Sequence, residues 1–195
     1  MSKQWLAVLT IVGGLGLGAA ALVKFGPQIE GVNVGKRAPD FAAVNLATGD
    51  SVSLKKEYAN QVTLVNIWAT WCIPCRTEMP AMERLYQVYG PKGFRIAAVS
   101  IDEGGIEDVR AFVKEYALTF DVLHDATGEI QREYQTTGVP ESFLLDKDGI
   151  IVKRVFTHEW DTPVNKRLIA ELMGLPADSA TAAGTVQARA STPGG

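Results

Sequence analysis

Two periodicities alternate along the chain and lay out its elements. Residues 62–69 are almost continuously apolar, which predicts a strand covered on both faces. From 76 to 89 the pattern changes: Met79, Met82, Tyr86 and Tyr89 recur at helical spacing and predict an amphipathic helix, with Pro80 inside it as a kink. Residues 94–101 predict a second buried strand, and Ile106, Val109, Phe112, Val113 and Tyr116 mark the face of another helix. A short strand at 120–123 and a helical stretch at 128–134 precede Gly138-Val139-Pro140. Strands at 142–145 and 150–156 then flank Asp146-Lys147-Asp148-Gly149, a strong hairpin turn. Val164, Leu168 and Leu172 share one face of a closing helix at 161–173. Ahead of all these, 41–44 and 51–54 predict a hairpin through Thr48-Gly49-Asp50. Alternating strands and helices define an α/β class.

The two ends differ from this body. Residues 5–23 are uncharged and almost wholly apolar between Lys3 and Lys24, which matches the roughly 20 residues of a bilayer-crossing helix. A cleavable signal peptide is the competing reading, since Ala19-Ala20-Ala21 offers a cleavage pattern, but signal h-regions run only about 7 to 15 residues. The length favours an uncleaved anchor over 1–24. Lys3 is opposed by Lys24, Lys36 and Arg37, so the positive-inside rule does not orient it. Residues 25–37, with Gly26, Pro27, Gly31 and Gly35, read as a linker. The globular domain is expected over 38–175. Beyond it, 176–195 collapses into Ala, Thr, Ser, Gly and Pro, the composition of a disordered tail.

Composition narrows the function. A chain of 195 residues with 47% hydrophobic content builds one sizeable core, and a net charge of −3 without a basic run gives no footprint for nucleic acid. Its only two cysteines stand in Trp71-Cys72-Ile73-Pro74-Cys75, at the junction of a predicted strand and helix. There the first sulfur sits over unpaired backbone N–H groups, which favour its thiolate. Zinc would need two further ligands, and only His124 and His158 are on offer, widely separated. A purely structural disulfide closing so short a loop removes little unfolded-state entropy. The acidic turn at 146–149 is no calcium loop, because the EF-hand register puts Leu144 and Val155 at its first and last ligand positions. Reversible thiol–disulfide exchange remains, without a metal or organic cofactor. A two-cysteine domain behind an anchor or signal belongs outside the cytoplasmic membrane, where disulfides persist.

Asn66-Ile67-Trp68-Ala69-Thr70-Trp71-Cys72-Ile73-Pro74-Cys75, with Glu78, Pro80 and Gly138-Val139-Pro140-Glu141-Ser142-Phe143, resembles the thioredoxin fold. The closer likeness is to the membrane-tethered TlpA/ResA/CcmG group, which includes thioredoxin-like proteins of cytochrome c maturation. It covers residues 35–174, and the extra strand and helix between Phe94 and Leu123 look like that group's central insertion. Where thioredoxins carry a buried aspartate before the cysteines, this chain has Asn66, which cannot accept a proton.

Cys72 is the expected nucleophile and Cys75 the resolving thiol. Glu78, three residues beyond Cys75, is either a proton acceptor for Cys75, as the resemblance implies, or a solvated helix glutamate. Trp71, Ile73 and Pro74 are expected to meet the partner. Trp68 is either a second docking surface or core. The resemblance implies a cis Val139–Pro140 bond bordering the disulfide, and a partner-selecting role for Glu141. Alone, Val139–Pro140 reads as trans and Glu141 as an exposed charge.

The reading is an extracytoplasmic reductase of disulfides in client proteins, apocytochrome c among them, recharged by an inner-membrane thiol donor of the DsbD or CcdA type as the resemblance implies. A dithiol oxidase is disfavoured because Ile73-Pro74 lacks the histidine common in strongly oxidising members. A peroxiredoxin-type peroxidase would need Pro at Val65 and Thr or Ser at Ala69. A non-enzymatic haem- or metal-chaperone docking module is the fourth possibility.

Overall fold

The sheet is built outward from β3 (Thr63–Trp68), whose six residues are all buried, as the nearly continuous apolar run predicts. In this computed structural model, residues 4, 8, 10–18, 31–156 and 159–176 are described. The chain divides into residues 1–31 and 32–195. Within the first, Thr10 to Gly18 are helical and largely exposed. Among the described residues no helix is long and apolar enough to cross a membrane. The rest of the expected span, and the expected tail beyond Pro176, lie outside the described residues.

The second unit holds β1 (Ala42–Asn45), β2 (Ser51–Ser53), a short α1 (Leu54–Glu57), β3, and α2 (Ile73–Tyr89). There follow β4 (Arg95–Ser100), α3 (Ile106–Glu115), β5 (Asp121–His124) and α4 (Glu129–Glu133). Last come β6 (Glu141–Leu145), β7 (Ile151–Phe156) and α5 (Pro163–Met173). The seven strands lie in the order β2-β1-β5-β4-β3-β6-β7. β3, β4 and β5 are parallel; β6 is antiparallel to β3, and β7 to β6. The predicted N-terminal hairpin pairs β1 with β2 and joins the sheet through β5.

Beyond shifts of one or two residues, the structure departs from the sequence reading in three places. α2 begins at Ile73, because Pro74 sits in its first turn, where a missing N–H costs nothing and the fixed φ is already helical. α1 is too short for any periodicity to reveal it. The linker expected over 25–37 is already part of the second unit from Val32 on: Val32 is buried, and the Gly35 and Ala38 N–H groups donate to Ile151 and Gly149 carbonyls along β7. The turn at 146–149 forms as expected, Asp146 Oδ1 accepting from the N–H groups of Asp148 and Ile150 with Gly149 at φ +75°.

The core lies between the sheet and its helices. α2 contributes Met79, Met82, Leu85 and Tyr89, each fully buried, and removing one such side chain from water stabilises the fold by about 1.5–3 kcal/mol. The start of α5 is fixed twice over. Thr162 caps it by accepting from the Asn165 N–H at 3.3 Å, and Asp161 accepts from Arg84 of α2 at 2.8 Å and Lys166 of α5 at 2.5 Å. Partial burial works to raise the Asp161 proton affinity, but the hydrogen bonds from Lys166 and Arg84 outweigh it and hold the carboxyl below its ordinary range.

Because that affinity is lowered on folding, the stability it supplies is full above the unfolded carboxylate's value near pH 4 and drains away as pH falls through the folded value. Arg84 is half exposed, so the pair is solvent-screened. Asp161→Asn is expected to lower unfolding free energy by about 1 kcal/mol at neutral pH, with the gap to wild type narrowing in urea titrations as pH falls below about 4.

Candidate active site

β3 and β4 run parallel, so both deliver their carboxyl ends to one edge of the sheet, and the cysteine turn rises from that edge. Thr70, two residues before Cys72, is held at every polar atom. Its N–H lies 3.0 and 3.2 Å from the two Asp102 carboxylate oxygens, its hydroxyl donates to Asp102 Oδ1 at 2.6 Å, and its carbonyl accepts from Arg76 Nε at 3.0 Å. Asp102 is buried beyond the end of β4, accepts also from the Ser100 hydroxyl, and its carbonyl lies 2.9 Å from His124 Nε2. The turn is thus clamped from the neighbouring strand on one side and from α2 on the other.

Cys72 is the N-cap of the 17-residue α2, and its Sγ accepts from the Cys75 N–H at 3.2 Å. A sulfur occupies the place where a serine or aspartate oxygen usually satisfies the first helical amides. Cys72 and Cys75 are joined as a disulfide. Trp71 is 66% and Ile73 76% exposed, whereas Cys72 is 4% exposed and Cys75 fully buried. An incoming group therefore finds only a small exposed part of Cys72, between two projecting side chains, while Cys75 presents none.

Behind the disulfide the interior turns polar. Glu78 is buried, so it is not the solvated helix glutamate that spacing alone allowed. Its Oε1 accepts from Asn66 Nδ2 at 2.7 Å, and the same nitrogen donates to Ser142 Oγ at 2.9 Å. Asn66 Oδ1 is buried with no hydrogen-bond partner among the described residues. A groove of about 560 Å³, lined by Pro74, Glu78, Arg84 and Glu159, opens beside this network. A second, of about 650 Å³, lies between the cysteine turn and the loop before β6 and is lined by Thr70, Trp71, Asp102, Gly138 and Val139.

The Val139–Pro140 bond is cis, as the resemblance implied and the isolated dipeptide did not. Glu141 is no exposed charge. It is fully buried in β6 opposite Ile67, and its Oε1 accepts from Arg154 Nε of β7 at 2.6 Å, while Arg154 Nη1 reaches the Val32 carbonyl. Burying this carboxylate is tolerable because a guanidinium pairs with it. Trp68 is core: it is fully buried with its ring 4.6 Å from that of Phe112, so Trp71 alone of the two tryptophans is open to a partner. Among the described residues no three His, Cys, Asp or Glu side chains gather as metal ligands.

Sequence reasoning missed Asp102 and Arg154, and gave no role to Thr70 and Ser142, which stand in the quoted motifs. Asp102 alone carried a usable signal, as an acidic residue just past a buried parallel strand, where sites in open α/β sheets collect.

A disulfide at the start of a long helix, at the carboxyl edge of a parallel strand pair and beside a cis-proline loop, defines a thioredoxin-like thiol–disulfide oxidoreductase. Residues 34–154 match the AhpC/TSA family. The thiol-disulfide oxidoreductase ResA of Bacillus thuringiensis is 41% identical over 126 residues, spanning 65% of this chain and 71% of the relative. The thioredoxin-like protein YneN of Bacillus subtilis is 37% identical over 156 residues, 77% and 88% of the two chains. Among solved structures, a Chlorobium tepidum protein assigned as a thiol:disulfide interchange protein DsbE aligns with a TM-score of 0.62 at 30% identity, covering 73% of this chain and 96% of its own. A thiol-disulfide oxidoreductase from Bacteroides fragilis gives 0.60, also at 30%, over 68% and 99%. The chain belongs to the AhpC/TSA family and, within it, to the TlpA/ResA/CcmG-type thiol–disulfide oxidoreductases.

Removing the Asp102 carboxylate orphans the Thr70 N–H and two hydroxyls. Asp102→Ala is expected to destabilise the protein by about 2–4 kcal/mol in urea unfolding; an unchanged midpoint would show that the clamp carries no stability.

Proposed function

We propose that this oxidoreductase works as a reductase of disulfides in client proteins, with Cys72 as nucleophile and Cys75 as resolving thiol. The observation that carries the reading is the place of the two cysteines at the helix start, Cys72 capping the helix and 4% exposed, Cys75 inside the first turn and fully buried. With the pair reduced, the helix amides favour the Cys72 thiolate, which attacks one sulfur of the client disulfide and expels the other as thiolate. Cys75 then gives up its proton, attacks Cys72 Sγ and releases the second client sulfur. Two electrons pass to the client, and the protein is left as the disulfide. Glu78 is the acceptor of the Cys75 proton: it lies one helical turn on, buried beside a groove through which the proton can leave. No metal or organic cofactor enters these steps.

Trp71, Ile73 and Pro74 supply the apolar lip on which a client rests, and the Val139 backbone beside Pro140 offers peptide groups to an extended client strand. Glu141, buried against Arg154, acts on partner choice only through the shape and charge behind Pro140. The client we assign is apocytochrome c, whose haem-binding cysteine pair must be reduced. Residues 5–23 anchor the protein in the cytoplasmic membrane with the catalytic domain on the outer side. An inner-membrane thiol donor of the DsbD or CcdA type returns the electrons. These assignments draw support from the apolar N-terminal run and from the family.

Cys75→Ser is expected to freeze the Cys72 mixed disulfide and to retain apocytochrome c, identified by mass spectrometry of the trapped complex in cells. A broad set of clients would replace the narrow assignment with a general reductase. Electron flow is checked separately: a reduction potential at the strongly oxidising end, with rapid oxidation of unfolded thiol substrates, would reverse the direction.

A further inference from the structure

We propose that Asn66, braced by Ser142, is a positioning residue for the resolving step: it holds the Glu78 carboxylate in its accepting form and so sets the pH at which Cys75 attacks. This rests on Glu78 being the proton acceptor. Asn66 and Ser142 face one another in the antiparallel β3–β6 register, and the Asn66 side chain meets Glu78 of α2. An amide nitrogen has two hydrogens, and both are committed here, one to Glu78 Oε1 at 2.7 Å and one to Ser142 Oγ at 2.9 Å. With those two acceptors fixing the nitrogen, the amide oxygen is turned away from Glu78. The carboxylate therefore always meets a donor.

Burial alone would favour the neutral acid, which cannot accept a proton; a hydrogen bond donated to the carboxylate favours the charged form. Asn66 supplies that donor from inside the sheet, and unlike a carboxylate in the same position it does not compete for the proton. Among the ionisable groups near Glu78 are Cys75 on its own helix and Arg84 and Glu159, which line the same groove. Arg84 is committed to Asp161, which Lys166 also contacts.

The step balances as follows. Once Cys72 carries a mixed disulfide, Cys75 passes its proton to Glu78 and its sulfur bonds to Cys72 Sγ. The client sulfur leaves with the bonding electron pair as thiolate, and Glu78, now neutral, releases its proton to solvent.

The test uses the reduced full-length protein and dithiobis(nitrobenzoate) in a stopped-flow mixer across the pH range. The first coloured thiolate released reports attack by Cys72, and the second reports attack by Cys75. In Asn66→Asp two carboxylates within hydrogen-bond distance share one proton up to higher pH, so the second phase is expected to slow about tenfold near neutrality and recover in alkali. The first phase should stay within about twofold, a separation that general loosening of the fold would not produce. Ser142→Ala, which leaves the amide free to turn, is expected to shift the second phase the same way by about two- to threefold. Glu78→Gln should abolish the acid limb of the second phase. If Glu78→Gln abolishes it while neither Asn66→Asp nor Ser142→Ala moves it, the role of Asn66 is overturned and that of Glu78 stands. If the limb survives Glu78→Gln, the proton-acceptor reading falls, and this inference with it.

Discussion

The chain enters its longest described helix on a sulfur atom. Cys72 Sγ takes the hydrogen bond from the Cys75 N–H that an oxygen provides at most helix starts, and so the group to be made reactive is also the group that completes the helix. Most of what surrounds the site serves to keep that sulfur in place. β3 is buried along its length, so its end cannot wander; Asp102 and Arg76 fix Thr70 from opposite sides; Pro74 starts the helix without leaving an amide unpaired. The cost is concentrated in one buried carboxylate, Asp102, which is accepted because three donors meet it.

The polar layer behind the disulfide is arranged by which sheet face each residue shares. Along β6, Glu141 and Ser142 point to opposite sides, one toward Arg154 and the other toward Asn66 and Glu78. Two buried carboxylates thus flank the same proline loop without meeting. Glu141 is paired with a guanidinium, and Glu78 accepts from an amide and borders a groove.

How much of this was legible beforehand depended on the range of the interactions. The central strands, α2 and the hairpin at 146–149 follow from local periodicity and turn chemistry, and the structure has them where those patterns fall. Cys72 and Cys75 were equally plain, being two cysteines at a strand-to-helix junction. The cis bond before Pro140 came only with the resemblance. Glu78 and Glu141 look alike in sequence as charged residues, yet both are buried, because their partners Asn66 and Arg154 stand 12 and 13 residues away. Asp102 is 32 residues from Thr70, and no pattern along the chain announces such a pairing before the parallel strands are assembled. Val32 shows the same limit: its segment resembles a linker until it pairs with β7.

That last pairing also bears on how open the margins of the sheet are to other chains. One margin of the sheet is β2, only three residues long, and along the other, β7, the backbone of residues 35–38 contributes hydrogen bonds to residues 149–151. Three residues of margin on one side, and on the other a strand paired at its first residue, leave less template for a stray strand to extend. A strand arriving from elsewhere thereby finds less free backbone to pair with at either margin.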